Sequence, residues 1–143
     1  MATKAKGVAI EVAPLIPVAE GEEPWTADEV AEVRIELEDD IARMSKALRE
    51  AEDELAEWMA DGPDGAGKDP ADVGSSNFER DQEMSLRANT RDMLGQCELA
   101  LRLLNEGGYG NCESCGKPIG KLRLQVLPRA TMCVTCKQRE ERR

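Results

Sequence analysis

Residues 109–137 read YGNCESCGKPIGKLRLQVLPRATMCVTCK and contain two Cys-x2-Cys pairs that are 17 residues apart. Each pair can present two thiolates to one metal ion from a tight turn, and four thiolates complete the tetrahedral coordination that zinc accepts. A redox dithiol would need only one such pair. We therefore predict one structural Zn²⁺ ion, bound by Cys112, Cys115, Cys133 and Cys136.

The absence of His and the position of Gly116 support a closed zinc site with thiolate ligands alone. The chain contains no His, so no imidazole can take part in the coordination. Gly116 directly follows the first pair, at a position where a positive φ is often needed. The fifth cysteine, Cys97, lies between Met93 and Ala100 on the apolar face of a predicted helix, so we predict a buried core thiol there and not a reactive one.

Two long helices are predicted upstream of the cysteine pairs. Thr26 and Glu29 form a Thr-x-x-Glu capping box, which marks the start of the first helix. The apolar residues that follow recur about every 3.5 residues as far as Trp58, which is the spacing of a coiled coil. A second apolar pattern runs from about Asn77 to Glu106, and the two glycines that follow it end the helix.

The segment between the helices, residues 61–76, reads DGPDGAGKDPADVGSS and is rich in turn-forming Gly, Pro and Asp. Two long helices joined by a short loop pack most simply as an antiparallel hairpin. The predicted fold is mainly α: a long antiparallel coiled-coil hairpin over 26–106 with an acidic tip loop at 61–76, then a small four-cysteine zinc finger and a short, basic C-terminal helix over 107–143. Residues 1–25 show no periodicity and are predicted to be a flexible N-terminal tail.

The net charge of −10 is unevenly distributed along the chain. Residues 26–60 carry −8 and residues 107–143 carry +5. An acidic helical body is repelled by nucleic acid, and it suits a basic protein groove or a site with bound cations. Aromatic residues make up only 3% of the chain, which excludes a large globular core.

The sequence shows neither a secretory signal nor a membrane span. The apolar stretch at residues 8–18 is interrupted by Glu11, Pro14 and Pro17, and no apolar run reaches membrane-spanning length. Five cysteines without a secretory signal indicate a reducing compartment, where disulfides are rare. We therefore expect a cytoplasmic protein.

Residues 109–137 resemble the zinc finger of the DksA/TraR family, which comprises bacterial factors that bind RNA polymerase. The shared pieces are Tyr-Gly before the first pair, Cys-Glu-Ser-Cys-Gly, Ile-Gly, the Leu-Pro run and Cys-x2-Cys-Lys. A coiled-coil hairpin before such a finger is that family's architecture, so the resemblance extends over about residues 26–143. It implies a transcription regulator that is not an enzyme. We expect a monomer that binds bacterial RNA polymerase, with no sequence-specific DNA binding and no membrane association.

The resemblance also implies which residues act on polymerase. In the family, the hairpin tip enters the secondary channel of the polymerase, and two aspartates spaced Asp-x-x-Asp act near its catalytic centre. The matching pair in this chain is Asp69 and Asp72. Lys137 is expected to contact polymerase or the alarmone ppGpp. Three further positions that match basic residues of the family are uncharged here, which speaks against use of ppGpp: Asn89, Gln96 and Leu127.

Three other functions remain open on the sequence alone. A transcript-cleavage stimulator similar to the Gre proteins would also use an acidic hairpin tip, although those proteins lack this zinc finger. The basic module over 107–143 allows a zinc-ribbon nucleic-acid binder, although Tyr109 is the one aromatic there that could stack on a base. A plain structural scaffold would leave Asp69 and Asp72 as ordinary solvated turn residues.

Overall fold

The computed structural model describes residues 15–60 and 70–142, and for residues 70–76 it describes the backbone alone. Within those ranges the chain forms four helices: α1 (Ala27–Ala60), α2 (Pro70–Glu106), α3 (Lys121–Val126) and α4 (Val134–Glu141). These described ranges contain no β-strand. They contain one isolated antiparallel β-bridge, between Asn111 and Pro118. The predicted mainly α class is confirmed. No described helix combines the length and hydropathy of a membrane span.

Helix α1 begins at the predicted capping box. The backbone N–H of Thr26 donates to the Glu29 carboxylate at 2.9 Å, and the N–H of Glu29 donates to Thr26 Oγ1 at 3.2 Å. These two bonds satisfy donors that have no partner within the first turn of a helix. With neither Gly nor Pro in its interior, the helix then continues to Ala60, the predicted end.

Helix α2 begins at Pro70, seven residues before the predicted start at Asn77. The sequence pattern predicts turn residues at Pro70, Gly74 and the two serines after it. Proline is favoured in the first turn of a helix because its missing N–H would have no partner there, and an interior glycine costs only about 1 kcal/mol relative to alanine. The last seven residues of the predicted tip loop are therefore helical, and residues 61–69 lie outside the described part of the chain.

The chain divides into two compact units, and the first contains Met1–Ile41 and Gly95–Arg143. In this unit, Arg34 Nη1 of α1 donates to Asn105 Oδ1 near the end of α2. Cys97 is fully buried, which confirms the prediction of a core thiol. The apolar stripes of the two helix segments form the core together: Val30, Val33, Leu37, Cys97, Ala100 and Leu104.

The second unit, Ala42–Leu94, contains the remaining segments of α1 and α2. Arg91 lies 3.6 Å from Glu52, and the Arg80 guanidinium lies 5.3 Å from the centre of the Trp58 ring. Because residue numbers rise along one helix as they fall along the other, the two segments are antiparallel. Two helices can bury only one stripe each, so several residues of the predicted apolar pattern are at least half exposed: Trp58, Phe78, Met84 and Leu86.

The N-terminal segment differs from the predicted flexible tail from Leu15 onwards. Ile16 and Trp25 are each only 5% exposed. The close approach of Ile16 to Gly110 is possible because that glycine has no side chain. The sequence missed this packing because neither residue belongs to a periodic apolar pattern. Residues 1–14, the rest of the predicted tail, lie outside the described residues.

Candidate metal centre

The four predicted ligands come together in the structure. The Sγ atoms of Cys112, Cys115, Cys133 and Cys136 all lie within 4.8 Å of one another. Cys115 Sγ lies 3.8 Å from Cys133 Sγ. Four thiolates at a Zn–S distance of about 2.3 Å define a tetrahedron with edges of about 3.8 Å. The cluster therefore has the dimensions of a four-cysteine zinc site.

The first Cys pair lies on a turn held by its own backbone. The N–H of Gly116 donates to Cys112 O at 2.9 Å, and the N–H of Cys112 donates to Lys117 O at 2.8 Å. Gly116 has φ 76°, a left-handed conformation that residues with a side chain rarely adopt. This confirms the prediction for Gly116, and it explains how the chain reverses sharply enough to aim both sulfurs at one point.

The second Cys pair lies at the start of α4. Cys133 is the N-cap residue and has an extended backbone, and Cys136 is buried in the first turn of the helix. The N–H of Lys137 donates back to Cys133 O at 3.0 Å, which continues the helix from the cap. The helix start therefore positions the second pair, with the cap residue and the third helical residue as the two ligands.

Hydrogen bonds shift the pKa values of two thiols of the cluster in opposite directions. Burial opposes ionisation of Cys112, but the backbone N–H groups of Cys133, Cys115 and Ser114 bond its sulfur, and its pKa is lowered to about 6. A hydrogen bond to Cys133 has the opposite effect on Cys136 and raises its pKa to about 12. Four thiolates at this distance repel one another, and zinc supplies the charge that holds all four when it binds.

The coordination is complete without any other ligand. Cys112 and Cys136 are 3% and 7% exposed, Cys115 is exposed, and the four sulfurs would fill the four positions of a tetrahedral zinc ion. A catalytic zinc keeps one position open for water or substrate, whereas structural zinc does not. The geometry fits a single structural Zn²⁺ ion, as predicted.

Tyr109 connects the start of the finger to the segment between α3 and the second Cys pair. Its ring is only 3% exposed, and its hydroxyl donates to Pro128 O at 2.9 Å. Burial, with a contribution from the negative charge of Glu36, raises the pKa of Tyr109 above its ordinary value of 10, so the hydroxyl stays protonated and remains a donor. Two pieces of the sequence resemblance, Tyr-Gly and the Leu-Pro run, therefore meet in the structure and act together in packing.

Sequence reasoning missed the carboxylates that contact the finger from the N-terminal side. Glu22 accepts hydrogen bonds from the N–H groups of Lys121 and Leu122, and Glu29 pairs with the Lys121 ammonium at 2.8 Å. No local pattern could have indicated the Glu22 contact, because about a hundred residues separate the partners. The capping box located Glu29 correctly but gave no sign of its second role.

The predicted polymerase-contacting residues are only partly described. Asp69 lies outside the described residues, and Asp72 lies in α2 within the segment whose side chains are not described. Their role stays a prediction. Lys137 is exposed on α4. The three uncharged positions also lie in described parts of the chain: Asn89 and Gln96 are exposed on α2, and Leu127 is half-buried directly after α3.

Comparison with known proteins places the chain in a family. Residues 107–142 match the model of the prokaryotic dksA/traR C4-type zinc finger. The RNA polymerase-binding transcription factor DksA of Caulobacter vibrioides is 36% identical over 103 residues, which covers 72% of this chain and 71% of the relative. The factor of the same name from Escherichia coli is 35% identical over 69 residues, covering 48% of this chain and 46% of the relative.

A solved structure gives the same result at the level of the fold. The structure of transcription factor DksA2 from Pseudomonas aeruginosa matches with a TM-score of 0.60 and 27% sequence identity. The match covers 80% of this chain and 84% of that chain. It therefore extends well beyond the finger and includes much of the helical part. By its sequence, its cluster of four cysteines and its fold, the chain belongs to the DksA/TraR family.

Proposed function

We propose that this protein is a transcription regulator that binds RNA polymerase and catalyses no reaction itself. The observation that carries the proposal is the 36% identity to the Caulobacter vibrioides factor over 72% of the chain, because that relative is named for its binding to RNA polymerase. The closed four-cysteine cluster supports it, since a zinc ion without an open position offers no site for catalysis. Action on polymerase would place the protein in the cytoplasm.

In the proposed mechanism, the acidic segment between α1 and α2 enters the secondary channel of the polymerase. Residues 61–76 contain four aspartates and a single lysine. Carboxylates brought near bound Mg²⁺ or basic loops gain favourable interaction energy, and this energy is large where water is excluded. Asp69 and Asp72 are the pair assigned to the effector role, which is to alter the lifetime of the open complex or the rate of elongation.

The zinc finger is proposed to contact polymerase outside the channel, with Lys137 among its contacts. Lys137 is exposed on α4, close to two of the zinc ligands in sequence. The three uncharged positions Asn89, Gln96 and Leu127 offer no cation for a phosphate-rich ligand. We therefore expect ppGpp to add little to the effect of this protein on transcription.

The test separates binding from effect. Purified polymerase is titrated with the wild-type protein and with Asp69→Asn/Asp72→Asn, and open-complex lifetime is measured on the same samples. We expect the double variant to bind like the wild type and to lose the effect on lifetime. Asp61→Asn/Asp64→Asn is the matched control, because it removes the same charge from the same segment. The control is expected to keep the effect.

Two results would overturn the proposal. Loss of activity in both double variants alike would mean that total charge matters and that the Asp69–Asp72 pair has no special role. Shortening of the transcript in stalled elongation complexes would instead identify a cleavage stimulator. A third measurement, binding to bare DNA at several salt concentrations, checks the nucleic-acid alternative, which predicts tight and strongly salt-dependent binding.

A further inference from the structure

The N-terminal segment 15–26, here called the strap, holds the finger through contacts that do not involve the metal. It buries Ile16 and Trp25, and its Glu22 bonds the start of α3. We propose that the strap is a second, zinc-independent anchor that fixes α3 to the N-terminal end of α1, with Glu22 as its positioning residue. This goes beyond the proposed function, since it gives the segment before α1 a role within the protein itself.

Glu22 supplies a cap that α3 lacks in its own sequence. The N-cap residue of α3 is Gly120, which has no side chain to bond the first N–H groups. Glu22 Oε1 accepts from the N–H of Lys121 at 2.8 Å, and Glu22 Oε2 accepts from the N–H of Leu122 at 2.9 Å. These donors would otherwise have no partner within the helix. The carboxylate is itself held in place, because Ala19 N–H donates to it at 2.7 Å.

Lys121 ties the same helix to both the strap and α1. Its ammonium lies 2.8 Å from Glu29 Oε1 and donates to Pro24 O at 3.3 Å. It also lies 5.9 Å from the centre of the Trp25 ring. The Lys121 side chain is only 13% exposed and that of Glu29 only 23%, so water screens this pair less than a surface ion pair. Gln125 adds a bond from the next turn, donating to Glu29 Oε2 at 2.8 Å.

Apolar packing fixes the other end of the strap. A Cβ atom on Gly110 would lie 3.0 Å from Ile16 Cγ2 and 3.2 Å from Pro17 Cδ, so the strap and the finger backbone are in direct contact. Further along, a Cβ atom on Gly120 would lie 3.8 Å from Ala19 Cβ. The strap therefore touches the finger at two separate glycines, on either side of the first Cys pair and its turn.

The two anchors act on different parts of the finger. A bound zinc ion would join the first Cys pair to the second, and α3, which lies between the pairs in sequence, contributes none of the four ligands. The strap holds α3 and makes no bond to the four sulfurs. Loss of zinc should therefore loosen the two Cys turns and leave α3, Glu22 and Trp25 in place.

Trp25 fluorescence tests this directly. The chain has two Trp, and Trp58 is half exposed, so Trp58→Phe leaves buried Trp25 as the single reporter. Zinc is removed from the full-length reduced variant with a chelator, and zinc release is followed with a chromogenic indicator. We expect Trp25 emission to stay at the short wavelength of a buried indole after zinc has left. A shift to the emission of an exposed indole in step with zinc release would overturn the proposal.

Glu22→Ala in the same background tests the positioning role, with Glu23→Ala as the matched control because Glu23 is exposed and adjacent. We expect Trp25 to become exposed on zinc removal in Glu22→Ala and to stay buried in the control. Amide exchange at Lys121 and Leu122 in the zinc-bound protein should be at least about tenfold faster in Glu22→Ala, because each of the two amides loses one charge-assisted hydrogen bond. Glu22→Gln keeps one of the two acceptor oxygens and should be intermediate. Identical behaviour of the Glu22 and Glu23 variants would refute the assignment.

Discussion

Gly110→Ala tests whether the strap packs against the finger as the structure has it. Gly110 has φ 94°, and a Cβ atom there would lie 3.0 Å from Ile16 Cγ2 and 3.2 Å from Pro17 Cδ. A contact of 3.0–3.4 Å is tighter than nine in ten Cβ contacts, so Ile16 and Pro17, or the finger backbone, have to move by a few tenths of an ångström. The substitution therefore introduces two separate costs, one from the backbone conformation and one from the contact.

The magnitude follows from those two costs. A left-handed conformation costs a residue with a side chain about 1–2 kcal/mol. Overpacking a filled contact costs about 1–3 kcal/mol. Complete expulsion of the Ile16 side chain to water would cost about 1.5–3 kcal/mol, which limits the second term. We expect Gly110→Ala to lower the free energy of unfolding by about 2–5 kcal/mol.

Gly107→Ala isolates the contact from the backbone term. Gly107 has φ 110°, and a Cβ atom there would meet nothing within 4 Å. It should therefore lose only the conformational part, about 1–2 kcal/mol. Both variants are unfolded in urea at saturating zinc, with Trp25 fluorescence in the Trp58→Phe background as the signal. Equal losses in the two variants would show that Ile16 does not pack on Gly110, and the strap assignment would fail with it.

Three further predictions concern the capping box, the core thiol and the strap carboxylate. Thr26→Ala should lower the free energy of unfolding by about 1 kcal/mol, measured in urea, because the N–H of Glu29 loses its acceptor; no change would contradict the cap. Cys97→Ser should lower stability by about 1–3 kcal/mol, since it places a hydroxyl where the thiol is fully buried, while zinc content stays at one ion per chain; loss of zinc would contradict the ligand assignment. Bonds from Leu122, Lys121 and Ala19, stronger than the opposing effect of burial, lower the pKa of Glu22 from its ordinary value of 4.5. A carboxylate with a lowered pKa stabilises the fold at higher pH and loses this effect as pH falls through its folded-state pKa. The stability difference between wild type and Glu22→Gln should therefore be full above pH 4.5 and shrink below it, and a difference that grows on acidification would reverse the reasoning.

Local patterns in the sequence were sufficient for the two long helices, the C-terminal helix and the metal cluster, but not for α3 or for the start of α2. The capping box at Thr26 involves residues that lie close together along the chain. The four cysteines form two pairs, each with the fixed spacing Cys-x2-Cys. Proline at position 70 is compatible with a loop and with the first turn of a helix, and the sequence alone does not distinguish the two. The spacing of Trp58 and Leu86 placed them correctly on helices but could not show that they stay at least half exposed in the second unit.

The strap escaped prediction for a different physical reason. Glu22 and Leu122 are separated by a hundred positions, and no periodic signal links a single carboxylate to two backbone N–H groups. The contact between Ile16 and Gly110 is equally hard to predict, because it depends on the lack of a side chain at Gly110 and not on a repeated pattern of residues. Contacts of this kind depend on the tertiary fold, so a sequence can indicate the elements on either side without indicating that they meet.

Some of the basic residues of the finger have partners within the protein. Residues 107–142 contain seven Lys and Arg, which made a nucleic-acid-binding module conceivable. Lys121 is paired with Glu29 and nearly buried, and Arg123 donates to Met132 O within the finger. Both cations are therefore engaged in holding the fold. Binding to the DNA backbone gains affinity from each cation that neutralises a phosphate. A finger that uses two of its seven cations internally has correspondingly less to offer DNA, which weighs against the nucleic-acid alternative.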